Sequence, residues 1–146
     1  MTASKASAMA RVRQRHTAPE LMLRRELFAR GFRFRLHVRE LPGTPDIVLS
    51  KWSAVVFVNG CFWHRHNCKR FNWPKSNSEF WRRKISRNVE RDEKSISALL
   101  ALGWRVAVVW QCEIGQKSID KAQVVDRLDR WLRSASNLGP ERFSAT

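Results

Sequence analysis

Along the 146 residues the spacing of apolar and polar positions changes period several times, and each change marks a predicted element. Thr17-Ala18-Pro19-Glu20 reads as a helix start, with Thr17 as N-cap, Pro19 in the first turn and Glu20 completing a capping box. Leu21, Leu23, Leu27 and Phe28 supply its apolar positions, and Gly31 predicts its stop. From Phe32 to Arg39 the period drops to two, apolar residues alternating with Arg33, Arg35, His37 and Arg39. That pattern predicts a half-buried strand with a positive outer face, on which His37 is solvated or faces phosphate. Leu41-Pro42-Gly43-Thr44-Pro45 reads as a turn, and Asp46–Leu49 and Ala54–Val58 as two strands with a short connection. Ser76 and Glu79 form a second capping-box pattern before a long helix through about Leu102, with Phe80, Trp81, Ile85, Val89, Ile96 and Leu100 among its apolar positions. Gly103 ends it, Trp104 to Trp110 is apolar enough for a central strand, and Val124, Val125, Leu128, Trp131 and Leu132 mark a last amphipathic helix. The expected order is α-β-β-β-α-β-α around one mixed sheet, an α/β domain over 16–138. A flexible basic arm over 1–15 precedes it and a frayed end over 139–146 follows.

Composition adds a partner class. There are 28 Lys and Arg against 13 Asp and Glu, a net charge of +15, while 43% hydrophobic residues suffice for a core. A charge this far from zero points to a polyanion, above all nucleic acid. The excess is uneven: 11 bases against 4 acids over 1–51, 10 against 4 over 52–94, and 7 against 5 over 95–146, so the last third reads as scaffold. No apolar run approaches the ~20 residues of a membrane span, and the first residues do not read as an apolar signal segment. Three Cys argue against a disulfide framework and for an intracellular chain whose Cys bind metal. There is no internal repeat and no Gly/Ser-rich linker.

Candidate chemistry falls in three places. Asp46, at a strand entrance after a tight turn, is either an ordinary turn Asp or, with Glu20, a carboxylate site for the hard cation that phosphodiester hydrolysis needs. The basic composition and element order favour the second. Cys61-Phe62-Trp63-His64-Arg65-His66-Asn67-Cys68 packs two Cys and two His into eight residues. Tetrahedral zinc takes such ligands: His66 and Cys68 from one loop, Cys112 as a third, and Cys61, His64 or a carboxylate such as Asp92 as a fourth. The plain alternative is buried Cys with surface His. From Phe62 to Arg87, aromatics interleave with bases; bases bind phosphate, and rings stack on or wedge between nucleobases. Phe62 and Trp63, in a loop with no core to fill, read as such rings, whereas Trp81 suits either the core or DNA. His64 is a zinc ligand, a proton-transfer group or surface decoration by spacing alone, and His16 a solvated residue.

Taken together, these residues resemble the very short patch repair endonucleases, the Vsr mismatch-nicking family, from about Met9 to Ile114. The carrying segments are Thr17-Ala18-Pro19-Glu20, Leu41-Pro42-Gly43-Thr44-Pro45-Asp46-Ile47, Gly60-Cys61-Phe62-Trp63-His64, Glu79-Phe80-Trp81, Lys84-Ile85, Arg87-Asn88-Val89-Glu90-Arg91-Asp92 and Gly103-Trp104-Arg105-Val106. The resemblance implies a restriction-endonuclease-like fold of the PD-(D/E)XK type, without the E-x-K pair of related restriction enzymes. It implies Asp46 as the Mg²⁺-binding carboxylate, Glu20 as an active-site acid and His64 as the histidine assisting water attack. His66, Cys68, Asp92 and Cys112 match the structural zinc ligands, which leaves Cys61 out of the set. Phe62, Trp63 and Trp81 match an aromatic wedge beside a T·G mismatch, and Met9, Lys84 and Asn88 match residues at the recognition surface. The implied activity is nicking 5′ to the mismatched T left by deamination of 5-methylcytosine. The implied setting is a monomer in the bacterial cytoplasm, on the nucleoid, with repair proteins as partners. Val58 and Asn59 stand where well-studied members resemble Thr-His; a metal can use the carbonyl of residue 58, but Asn59 cannot transfer a proton as His can. Two rival readings are a Vsr-like restriction or defence nuclease cutting matched DNA and a non-catalytic, zinc-stabilised DNA-binding module.

Overall fold

The computed structural model describes residues 17–60, 74–114, 118–134 and 142–144. Helix α1 spans Ala18–Ala29, and its start is the predicted one: the Thr17 side chain accepts the Glu20 N–H at 3.4 Å. Its end follows from Gly31 at φ +94, with the N–H of Gly31 bonded to Phe28 O and that of Phe32 to Leu27 O, both at 3.0 Å. This paired closure brings Phe32 onto Leu27 in the core. Strand β1 is only Arg35–Leu36, shorter than the alternation predicts, because His37 takes φ 47 and leaves the extended conformation. Strands β2 (Ile47–Leu49) and β3 (Ala54–Asn59) form a hairpin through a tight turn at Ser50–Trp52.

Helix α2 spans Ser78–Ala101 and ends as α1 does, with Gly103 N–H to Leu100 O and Trp104 N–H to Leu99 O. Its start differs from expectation. Asn77, at φ 54, is the N-cap and makes no side-chain bond, so the Ser76–Glu79 box does not form. Asn tolerates the left-handed conformation, and the chain enters the helix through it one residue later than Ser76. Strand β4 (Arg105–Trp110) follows, then the short α3 (Gln111–Ile114), α4 (Ser118–Arg133) and β5 (Arg142–Ser144). The last strand stands where the sequence predicts a frayed end.

The sheet order is β1-β2-β3-β4-β5, antiparallel across the first two pairings and parallel across the last two. Period-two alternation divides its side chains between two cores. Ile47, Leu49, Ala54, Val56, Ala107 and Val109 pack with Leu23 and Leu27 of α1 and Val125, Leu128 and Leu132 of α4. Val48, Val55, Val106 and Val108 pack with Ile96 and Leu99 of α2 on the other face. Both faces are thus dry, which is why β4 reads as nearly continuous apolar sequence. Arg105, at the start of β4, is buried; its guanidinium donates to Trp131 O at 2.7 Å and lies 4.0 Å from the Trp131 ring, tying the strand to the end of α4. No helix among the described residues is long and apolar enough to cross a membrane.

Candidate active site

Three elements deliver one side chain each to the same point. Glu20 comes from the first turn of α1, where the Thr17 cap and Pro19 fix the helix entry. Asp46 comes from the residue before β2, at the close of the Pro42–Pro45 turn. His37 comes from the residue after β1, and the sheet register explains its position. Leu36 pairs with Ile47, so His37 falls opposite Asp46, and its N–H donates to the Asp46 carbonyl at 3.2 Å. The His37 ring does not lie on the solvent face as predicted. Its Nε2 is 3.2 Å from Glu20 and 3.7 Å from Asp46 Oδ1. His37 takes φ 47, off the extended path of β1, and its side chain is 10% exposed.

The electrostatics are those of a site with like charges held close. Glu20 is 1% exposed, and Arg24 pairs with it across one helical turn. Burial raises the Asp46 carboxyl to about 7; the Val58 N–H, donated to Asp46 Oδ2 at 2.7 Å, opposes that rise, and the charge of Glu20 and a hydrogen bond to it add to it. Two carboxylates and an imidazole, with ligand atoms all within 4.8 Å of one another, make Glu20, His37 and Asp46 a group among the described residues that could hold a metal ion. Arg24 is the positive charge beside Glu20, and two carboxylates with the His37 nitrogen make a donor set that fits a divalent cation. Asp46 and His37 open onto a cavity of about 230 Å³ that also touches Thr44, Asn59, Asp92 and Ser95.

The sequence profile described as DNA mismatch endonuclease Vsr matches residues 1–70. The chain is 40% identical to the DNA mismatch endonuclease Vsr of Escherichia coli over 131 residues, 89% of this chain and 84% of that one. It is 42% identical to the type II nicking enzyme V.NmeAIP of Neisseria meningitidis serogroup A over 132 residues, covering 90% and 91%. It is 48% identical to the type II nicking enzyme V.XorIIP of Xanthomonas oryzae pv. oryzae over 121 residues, covering 83% and 89%. The chain belongs to the Vsr family of DNA mismatch endonucleases.

As a Vsr-family endonuclease, it carries two of its expected active-site residues, Glu20 and Asp46, in contact with the same imidazole. The third, His64, lies outside the described residues, as do Met9, Phe62, Trp63 and the zinc candidates His66 and Cys68. Of the other two zinc candidates, Asp92 faces the active-site cavity from α2, and Cys112 is half-buried on α3 directly after β4. On α2, Lys84 and Asn88 are half-buried, and Lys84 Nζ sits 6.0 Å from the ring of Phe80. Trp81 is 1% exposed and meets the Phe80 ring edge-on at 5.2 Å between centroids. Phe80 is 48% exposed, beside Arg83, Arg87, Arg91 and Lys94.

His37 is the site residue that sequence reading misplaces. A turn over residues 41–45 by itself would set Glu40 opposite Asp46, whereas the connection runs over residues 38–45 and sets His37 there. The alternating pattern alone points His37 to the outer face.

Proposed function

We propose that this endonuclease nicks one strand of duplex DNA 5′ to the T of a T·G mismatch and so begins very short patch repair of deaminated 5-methylcytosine. The observation that carries the reading is the buried Glu20–His37–Asp46 cluster in a chain of this family. Asp46 is the carboxylate that holds Mg²⁺, and Glu20 the neighbouring acid that fixes the charge of the site. A bound cation there supplies charge neutralisation for the attacked phosphodiester. His64 takes the proton of the attacking water as its oxygen bonds to phosphorus and the P–O bond to the leaving sugar oxygen breaks. Phe62 and Trp63 serve as the wedge, while Met9, Lys84 and Asn88 serve the recognition surface. His66, Cys68, Asp92 and Cys112 hold a structural zinc ion, which contributes folding energy directly. The mixed sheet between helices agrees with a restriction-endonuclease-like core. The setting is the bacterial cytoplasm, the enzyme acting as a monomer that hands its nick to repair partners.

A second reading has its own support. Two of the similar proteins are named type II nicking enzymes, and Asn59 stands at the family's histidine position. On that reading the chain is a Vsr-like nuclease acting on matched DNA. A strand-resolved assay with Mg²⁺ on duplexes carrying T·G, C·G or T·A at one position separates the two. Nicking of the T·G duplex alone, lost on Asp46→Ala, is the expected result; cutting of all three establishes the second reading.

A further inference from the structure

We propose that His37 is itself a ligand of the catalytic cation, which makes this a mixed carboxylate–imidazole site that favours Mn²⁺ over Mg²⁺. The inference rests on the reading of Asp46 as the cation's carboxylate. It goes beyond that reading by adding a nitrogen donor from a residue that the family resemblance leaves without a role.

Geometry comes first. Nε2 of His37 lies 3.2 Å from Glu20 and 3.7 Å from Asp46 Oδ1. Neighbouring corners of an octahedron with bonds of about 2.1 Å are about 3 Å apart, so the His37–Glu20 spacing is that of adjacent ligands of one small ion and the His37–Asp46 spacing is somewhat wider. Asp46 is additionally held by the Val58 N–H at 2.7 Å, and Glu20 by its place in the first turn of α1 and by Arg24.

The backbone supplies an independent observation. His37 adopts φ 47, a conformation uncommon outside glycine, directly after β1. Non-glycine residues in that region concentrate where a side chain must be aimed at a site. Here the turn aims the imidazole at two carboxylates, on the rim of the cavity that also holds Asn59. Asn59, 8% exposed at the end of β3, lines the same cavity and offers an amide beside the imidazole.

The chemistry then sets the selectivity. Mg²⁺ is hard, dehydrates reluctantly and binds oxygen. An imidazole nitrogen in the donor set adds little for Mg²⁺, whereas affinity for first-row transition ions rises with nitrogen donors. Mn²⁺ accepts carboxylate and imidazole together in an octahedral shell, and so gains from His37 what Mg²⁺ does not.

The test uses the full chain with Mn²⁺ alone as probe, read by electron spin-echo spectroscopy and by calorimetric titration against Mg²⁺. The expected result is a bound Mn²⁺ whose echo carries the modulation of a directly bonded imidazole nitrogen. That signal persists in His64→Ala and is lost in His37→Asn, chosen because Asn tolerates positive φ, and in His37→Gln. The ratio of Mn²⁺ to Mg²⁺ affinity falls by at least about tenfold in both His37 variants, the scale of loss seen even for neighbours of metal ligands. A wild-type echo without nitrogen modulation overturns the proposal, as does modulation lost in His64→Ala; neither result depends on how the His37 variants fold. In those cases loss of Mn²⁺ binding in Asp46→Asn leaves the cation site itself standing. Mn²⁺ binding unchanged by Asp46→Asn overturns the proposal together with the reading of Asp46.

Discussion

The carboxyl group of Asp46 is raised from its ordinary 3.8 to about 7 by burial, with the charge of Glu20 adding to the effect and the Val58 N–H opposing it. In the unfolded chain no such burial exists, so between pH 3.8 and about 7 the folded protein binds a proton that the unfolded chain has released. Stability from this group is therefore fully present below the unfolded value and declines as pH rises through the window. Asp46→Asn keeps a neutral group of the same shape and escapes that loss. At pH 8 in chelator the variant is expected to be more stable than wild type by roughly 1–4 kcal/mol, because each tenfold change in proton affinity on folding is worth about 1.4 kcal/mol. At pH 3 the two should coincide, and a divalent cation should stabilise wild type alone. Thermal melts of both proteins across pH check this; equal melting at pH 8 would remove the idea that the site stores electrostatic cost in the absence of its ion.

Of the described glycines, the one in the turn before Asp46 has the least room. Gly43 sits at φ +76, and a Cβ there would stand 2.7 Å from Ser95 Cβ on α2 and 3.2 Å from Phe57 Cζ on β3. Gly31 has φ +94 but nothing within 4 Å of an added Cβ. Gly31→Ala should thus cost only backbone strain, about 1 kcal/mol, whereas Gly43→Ala adds a steric clash of about 1–3 kcal/mol. Because the clash pushes the turn that carries Asp46 off α2, Gly43→Ala should also lower nicking more than Gly31→Ala does. Melting temperatures and initial rates of both variants decide it, and equal effects would reject the close-approach argument. Such elements were legible to different depths. The Thr17 cap, the Gly31 and Gly103 stops and the two-faced burial of β4 follow from local rules, and the structure obeys them. The side of the sheet to which His37 turns is a tertiary choice, made by the φ at one residue, and alternation cannot report it. Nor can it report that Asn77 caps α2 in place of Ser76, or that Trp81 faces inward while Phe80 faces out. Strand β5 is three residues long, too short for a period to show, and exists as the parallel partner of β4.

Among the described residues, bases that are paired with acids and bases that border a groove lie on different elements. Near α4, Arg30 pairs with Asp126 at 2.6 Å and Asp129 at 3.1 Å, and Arg133 pairs with Asp129 at 2.6 Å, so these two bases are spent on the scaffold. Along α2, Arg83, Lys84, Arg87, Arg91 and Lys94 border one groove, with Glu90 the only acid among its described residues. Residues 1–16 add Lys5, Arg11, Arg13 and Arg15 and no acid. Each base that neutralises a phosphate releases a counterion, so it steepens the fall of affinity with salt by about 0.9 in the log–log slope. Replacing Lys5, Arg11, Arg13 and Arg15 together by Gln should then weaken binding to matched and mismatched duplexes alike and flatten the slope by about 3–4. Replacing Arg30 and Arg133, whose charges are already matched by Asp126 and Asp129, should leave the slope near its wild-type value. Fluorescence anisotropy over a salt series measures both. A slope that does not change in the fourfold variant would mean that the N-terminal bases stay off the phosphates.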